Sequence, residues 1–74
     1  MKVQEYLRSV REACDLSKEQ AAEQIHVSPR SWYRYEAGER EISKTHLHLF
    51  LLLNAPTLQS RLGKSTLQLL SEAP

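Results

Sequence analysis

One cysteine in 74 residues closes several routes at once. A lone thiol, Cys14, makes neither an intramolecular disulfide nor a multi-cysteine zinc site, so the fold must be held by packing or association, in keeping with a reducing compartment. Long apolar runs are lacking too. The longest mostly apolar stretch, Leu47 to Leu53, is far too short to span a bilayer. Near the N-terminus, polar residues interrupt Val3 to Val10 at helical spacing where a secretory signal would need an unbroken apolar core, and the expected location is the cytoplasm.

Catalytic signals are equally scarce. There is no glycine-rich phosphate loop, no carboxylate pair and no nucleophile set beside a base, and a chain this short leaves no room for a separate catalytic domain. His46 and His48, two apart on a helix, point to different sides and do not share a metal. The expectation is a non-enzyme with no cofactor, no metal, no membrane and no small-molecule ligand. Charge of one sign is also missing. Ten Lys and Arg against nine Asp and Glu leave a formal +1, a weak footprint for a nucleic-acid binder.

What is present is ordinary globular material, 41% apolar and 26% charged, which makes residues 1–74 one domain. Such a chain buries only about 60% of the surface its unfolded form exposes, so its core must be economical. Val3, Tyr6, Leu7, Val10 and Cys14 make the stripe of an amphipathic helix over about residues 2–14. Ser17 precedes Gln20 by three, the spacing of a capping box, and starts a second helix at Lys18 that ends near Gln24 or Ile25. Ser28-Pro29 is a cap followed by proline at the first helical position, opening a third helix to about Glu36, with Gly38 just past its end. Ser43 caps a fourth helix through about Leu53, with Asn54 and Pro56 as its stop. Thr57 to Leu62 adds a turn or two ended by Gly63. Ser65 and Gln68 offer a second capping box, although Leu67 and Leu69 alternate as a strand would. The fold expected is an all-α bundle of four or five helices.

Two short helices joined by a tight turn, the second opening on a cap and proline, form a helix-turn-helix skeleton. Ala22 provides the small residue needed where the two helices cross. In the third helix Trp32 and Tyr35 share the inner face, while Arg30, Tyr33 and Arg34 fall elsewhere and are rich in hydrogen-bonding groups.

From Ser17 to Ser43 the sequence resembles the Cro and repressor family of DNA-binding helix-turn-helix proteins, also called xenobiotic-response-element-like, and the similarity extends over residues 3 to about 54. The resemblance implies a transcriptional regulator. It matches Arg11 and Glu36 to the family's ion pair between its first and third helices, Ser17 to its hydroxyl cap, and Lys18 to a phosphate contact. It puts base-reading positions on Ser28, Arg30, Tyr33 and Arg34. Phosphate contacts are also expected at Ser17, Arg40, Ser43 and Lys44, at and before the starts of the second and fourth helices. Two departures are His26, where glycine is common in the turn, and Asn54, where one register calls for leucine. The Ser31-Trp32 pair with Tyr35-Glu36 and Gly38 is similar to regulators of phages and plasmids, including those linked to anti-CRISPR genes.

One such module covers only about 600 to 1,000 Å² of its surface on DNA. A homodimer on a palindromic operator, acting as a repressor and plausibly an autorepressor, is therefore expected. Its dimerisation surface is expected from the fourth helix and the tail 55–74, through Leu49, Leu52, Leu53, Leu58, Leu62, Leu67 and Leu70, because apolar side chains almost encircle the fourth helix. The alternatives are an antitoxin of a toxin-antitoxin operon, or a protein-interaction module with the same fold that does not bind DNA. A tail that folds back to complete a monomeric core is the other reading of its leucines.

Overall fold

The computed structural model describes residues 2–74. Five α-helices and no strand occur among them: α1 Val3–Ala13, α2 Lys18–Gln24, α3 Pro29–Ala37, α4 Lys44–Leu62 and α5 Thr66–Glu72. None is long and apolar enough to cross a membrane.

Helix starts follow from local chemistry. Ser17 accepts from the Gln20 amide at 3.0 Å while Gln20 Oε1 accepts from the Ser17 amide at 2.8 Å, a complete capping box. Ser28, Ser43 and Ser65 each accept from the amide three residues on. At Ser65 the box is half made, because the side-chain amide of Gln68 donates to Glu72 instead of turning back to the Ser65 backbone. The helical reading of residues 65–70 holds and the strand reading does not.

The first four helices end at or beside left-handed residues. Gly38 and Gly63 end α3 and α4 at φ 77° and 68°, a region where L side chains are strained. Asp15 and His26 adopt the same region at φ 60° and 59° after α1 and α2. Behind each, an amide five residues on returns to the helix: Leu16 to the Arg11 carbonyl at 3.2 Å and Val27 to the Ala22 carbonyl at 3.1 Å. The turn before α3 thus keeps the geometry a glycine would supply, with histidine bearing the strain.

The core gathers Leu7 and Val10 of α1, Ala21, Ala22 and Ile25, Trp32 and Tyr35 of α3, and Leu47, Phe50 and Leu51 of α4. Trp32 is fully buried, 4.9 Å from the Phe50 ring and edge-on to Tyr35 at 6.2 Å. The fully buried Ala21 and Ala22 let α2 lie against α3.

The largest departure from the sequence reading is α4, which does not stop at Asn54 and Pro56 but continues to Leu62. Pro56 is exposed, so the Leu52 carbonyl that loses its amide partner lies on the side where water can serve it. The inner side supplies the reason to continue: Ala55 and Leu58 are buried. Asn54 does not cap the helix. It is 5% exposed, and its Nδ2 donates to Phe50 O and to Gln24 Oε1, both at 2.8 Å, pinning α4 to α2.

The end of α4 and α5 fold back on the rest. Leu69 of α5 is 3% exposed and Leu58 fully buried, while Arg61 Nη1 donates to the Ala13 carbonyl at the end of α1 at 2.9 Å. Leu58 was expected in a dimer surface, but the monomer's own core consumes it. Leu49 and Leu70 are half-buried against that core. The leucines left outside are Leu52, Leu53 and Leu62, each about half exposed, and Leu67.

Candidate nucleic-acid interface

The presentation of α3 rests on one guanidinium. Arg11 Nε donates to Glu36 Oε2 at 2.6 Å and Nη2 to Oε1 at 3.1 Å, a two-pronged pair between α1 and α3. Its Nη1 donates to the Leu16 carbonyl at 2.9 Å, tying in the loop before α2. The two side chains are only 12% and 5% exposed. Glu36 Oε2 also accepts from the Trp32 indole, so one carboxylate orients both the core aromatic and the end of α3. Burial works against ionisation of Glu36, but the bonds from Arg11 and Trp32 outweigh it and hold its carboxyl below the usual range. The bond to Glu36 correspondingly raises Arg11.

With its inner face fixed this way, α3 turns Arg30 and Tyr33 to solvent and leaves Arg34 half-buried. Among the described residues, no carboxylate forms an ion pair with Arg30 or Arg34. Ser28 is exposed at the start of the helix, its hydroxyl within 3.0 Å of the Ser31 hydroxyl as well as capping. Arg40, Ser43 and Lys44 are exposed on the connection into α4. Backbone amides of Glu39 and Arg40 both return to the Arg34 carbonyl, at 3.0 and 3.3 Å, so this connection is bound to the end of α3.

At the start of α2 the arrangement is richer than sequence alone conveys. Lys18 Nζ sits 4.9 Å from the centroid of the Tyr33 ring, and the Tyr33 hydroxyl donates to Glu19 Oε2. That bond raises the Tyr33 phenol above its ordinary value and lowers the Glu19 carboxyl. A cleft of about 230 Å³ between α1, α2 and α3 is lined by Arg8, Lys18 and Tyr33 with the Arg11 and Glu36 pair. Glu19 was absent from the sequence reading, since an acid in the first turn of a helix is explained by the helix dipole alone and nothing in the spacing joins it to Tyr33. Cys14 is buried, and burial pushes its thiol up, away from the reactive thiolate. No cluster of His, Cys, Asp or Glu able to hold a metal occurs among the described residues.

Two short helices at a tight left-handed turn, the second exposing arginines, make a specific geometry, and a family profile described as a helix-turn-helix domain matches residues 5–51. The chain belongs to the helix-turn-helix family. No curated protein and no solved structure matches it. The matched residues run from the first turn of α1 into the middle of α4, so this helix-turn-helix protein has its whole DNA-binding motif inside the match, whereas the end of α4 and α5 lie beyond it. Family membership carries the general role of a DNA-binding regulator.

Proposed function

We propose that the protein is a homodimeric, sequence-specific repressor of the Cro type, of phage or plasmid kind, that reads a palindromic operator with α3 in the major groove. The observation that carries this reading is the contrast between the two faces of α3. Trp32 and Tyr35 are locked into the core, while Arg30 and Arg34 keep guanidiniums free of carboxylate partners among the described residues. A guanidinium offers a planar donor fork that fits guanine O6 and N7. Ser28 and Tyr33 complete the base-reading set. Ser17, Lys18, Arg40, Ser43 and Lys44 hold phosphates on either side of it.

Dimerisation supplies the second half-site. Leu49, Leu52, Leu53 and Pro56 follow one another at i, i+3, i+4 and i+7 along α4, a stripe exposed at the last three and half-buried at Leu49, and the exposed Leu62 and Leu67 with the half-buried Leu70 extend the apolar surface toward α5. A two-fold pairing there would space the α3 helices about 34 Å apart, one turn of duplex. Occlusion of a promoter in the cytoplasm, its own included, is the consequence.

A gel shift against the DNA upstream of the protein's own gene tests the reading. Arg30→Ala and Arg34→Ala should each cost about 1 to 3 kcal/mol on the specific site and much less on random duplex. Equal losses on both would make these residues phosphate anchors. Lys18→Ala and Arg40→Ala should weaken all DNA alike and flatten the salt dependence by about one counterion each.

A further inference from the structure

Tyr33 stands on the outward face of α3, yet its hydroxyl is engaged by Glu19 and its ring by the Lys18 ammonium. Two residues proposed to meet DNA are thus occupied with each other, and the third member of the group is an exposed carboxylate. A glutamate in the first turn of α2 complements the helix dipole without needing a phenol. A phenol that donates to a carboxylate, in turn, has given up the hydrogen bond it would offer a phosphate oxygen. Carboxylate and phosphate are chemically alike here: both are anions that accept from O–H and attract an ammonium.

We infer that Glu19 is a brake on DNA affinity that stands in for a DNA phosphate, occupying the Tyr33 hydroxyl and sharing the Lys18 charge until a backbone phosphate displaces it. The inference rests on the DNA-binding reading above. Exchange is one partner for another as far as Tyr33 and Lys18 are concerned. Glu19 is left facing phosphates with its charge uncompensated, and that like-charge penalty falls on every duplex. Only a duplex on which Arg30 and Arg34 also find their bases offsets it. Glu19 therefore weakens operator and random duplex by the same factor, and leaves the contacts of Arg30 and Arg34 to decide where the protein stays bound, a device of restraint rather than attraction. The chain's formal charge of only +1 is consistent with restraint of this kind.

The test uses the full chain and a random-sequence duplex over a salt series, with Glu19→Gln, Tyr33→Phe and the double variant. Glu19→Gln should bind the random duplex several-fold more tightly at low salt, a gain that shrinks as added salt screens the repulsion the carboxylate exerts in the parent. Adding Tyr33→Phe should remove part of that gain; a double variant as tight as Glu19→Gln overturns the share given to the phenol. A separate readout needs no DNA: the Tyr33 phenol, followed by NMR at its Cζ carbon, should titrate above the ordinary tyrosine value in the parent and return toward it in Glu19→Gln. Identical titrations overturn the latch. A shifted titration with unchanged affinity at every salt concentration overturns the role as a brake on binding. Should parent and variant both ignore duplex at low salt while the titration shifts as expected, the DNA-binding reading itself has failed, and the role of Glu19 goes with it.

Discussion

Glu36 receives two bonds from Arg11 and one from Trp32, and so ties two helices and the core aromatic to one carboxylate. Removing it leaves a nearly buried guanidinium without its counter-ion, held only by the Leu16 carbonyl, and an indole N–H without its acceptor. Breaking such a pair costs about 3 to 5 kcal/mol, against a total of about 4 to 11 kcal/mol for a domain of this length. Urea unfolding of Glu36→Ala should show a loss of that size, and a midpoint equal to the parent's would mean the pair is idle. The same residue sets an acid dependence. Because its folded pKa lies below the unfolded value of about 4.3, its contribution is fully present above that value. It disappears as pH falls through the folded pKa. Melts recorded on descending pH should therefore be flatter in Glu36→Gln than in the parent. His26 works in the opposite sense. Held at φ 59°, it pays for the turn with strain, so His26→Gly should raise Tm by a few degrees, the relief of left-handed strain exceeding the entropy that glycine adds to the unfolded chain. A lower Tm would mean that the imidazole itself stabilises the turn.

At the scale of elements, α1 to α3 were legible in the sequence almost to the residue, because α2 and α3 begin on side-chain caps, α1 carries a regular apolar stripe, and each ends at or beside a left-handed residue, all of which are local signals. The inward set of α3, Trp32 and Tyr35, followed from spacing for the same reason. What escaped was non-local. Asn54 and Pro56 both read as terminators in one dimension, but Asn54 finds its partner in Gln24, thirty residues away, and Pro56 falls by position on the watered side of the helix. Glu19 escaped likewise, since its partner Tyr33 is on another helix. Because α4 continues through the proline, Pro56→Ala restores an amide for the Leu52 carbonyl and should stabilise the protein by about 1 to 3 kcal/mol, less than the full penalty of an interior proline because the ring also stiffens the unfolded chain. A lower denaturation midpoint would show the ring to be a packing element. Leu58→Ala, by contrast, should cost about 2 to 5 kcal/mol, as for any large-to-small change in a closed core. A chain ending at Ala55 would lose Leu58 and Leu69 together and should melt well below the parent.

For the whole molecule, the open question is what meets the exposed leucines of α4. Sedimentation of the full chain at tens of micromolar should give a dimer if the proposed pairing is correct, and Leu52→Glu with Leu53→Glu should give a folded monomer. A parent that sediments as a monomer and binds DNA without two-fold half-sites would end that proposal. One buried contact bears on this more than the leucines do. With apolar side chains at positions 47, 49, 50, 51, 52 and 53, hydrophobicity alone offers α4 several nearly equivalent ways to roll against the bundle. The amide of Asn54, satisfied only by Gln24 and the Phe50 carbonyl, admits one. It acts as a rotational key, much as a single buried asparagine fixes the register of a coiled coil at some expense in stability. Asn54→Leu should accordingly match or exceed the parent in resistance to urea, yet show broadened, poorly dispersed methyl resonances and a mixture of association states, since a helix free to roll no longer presents one fixed set of leucines to its twin.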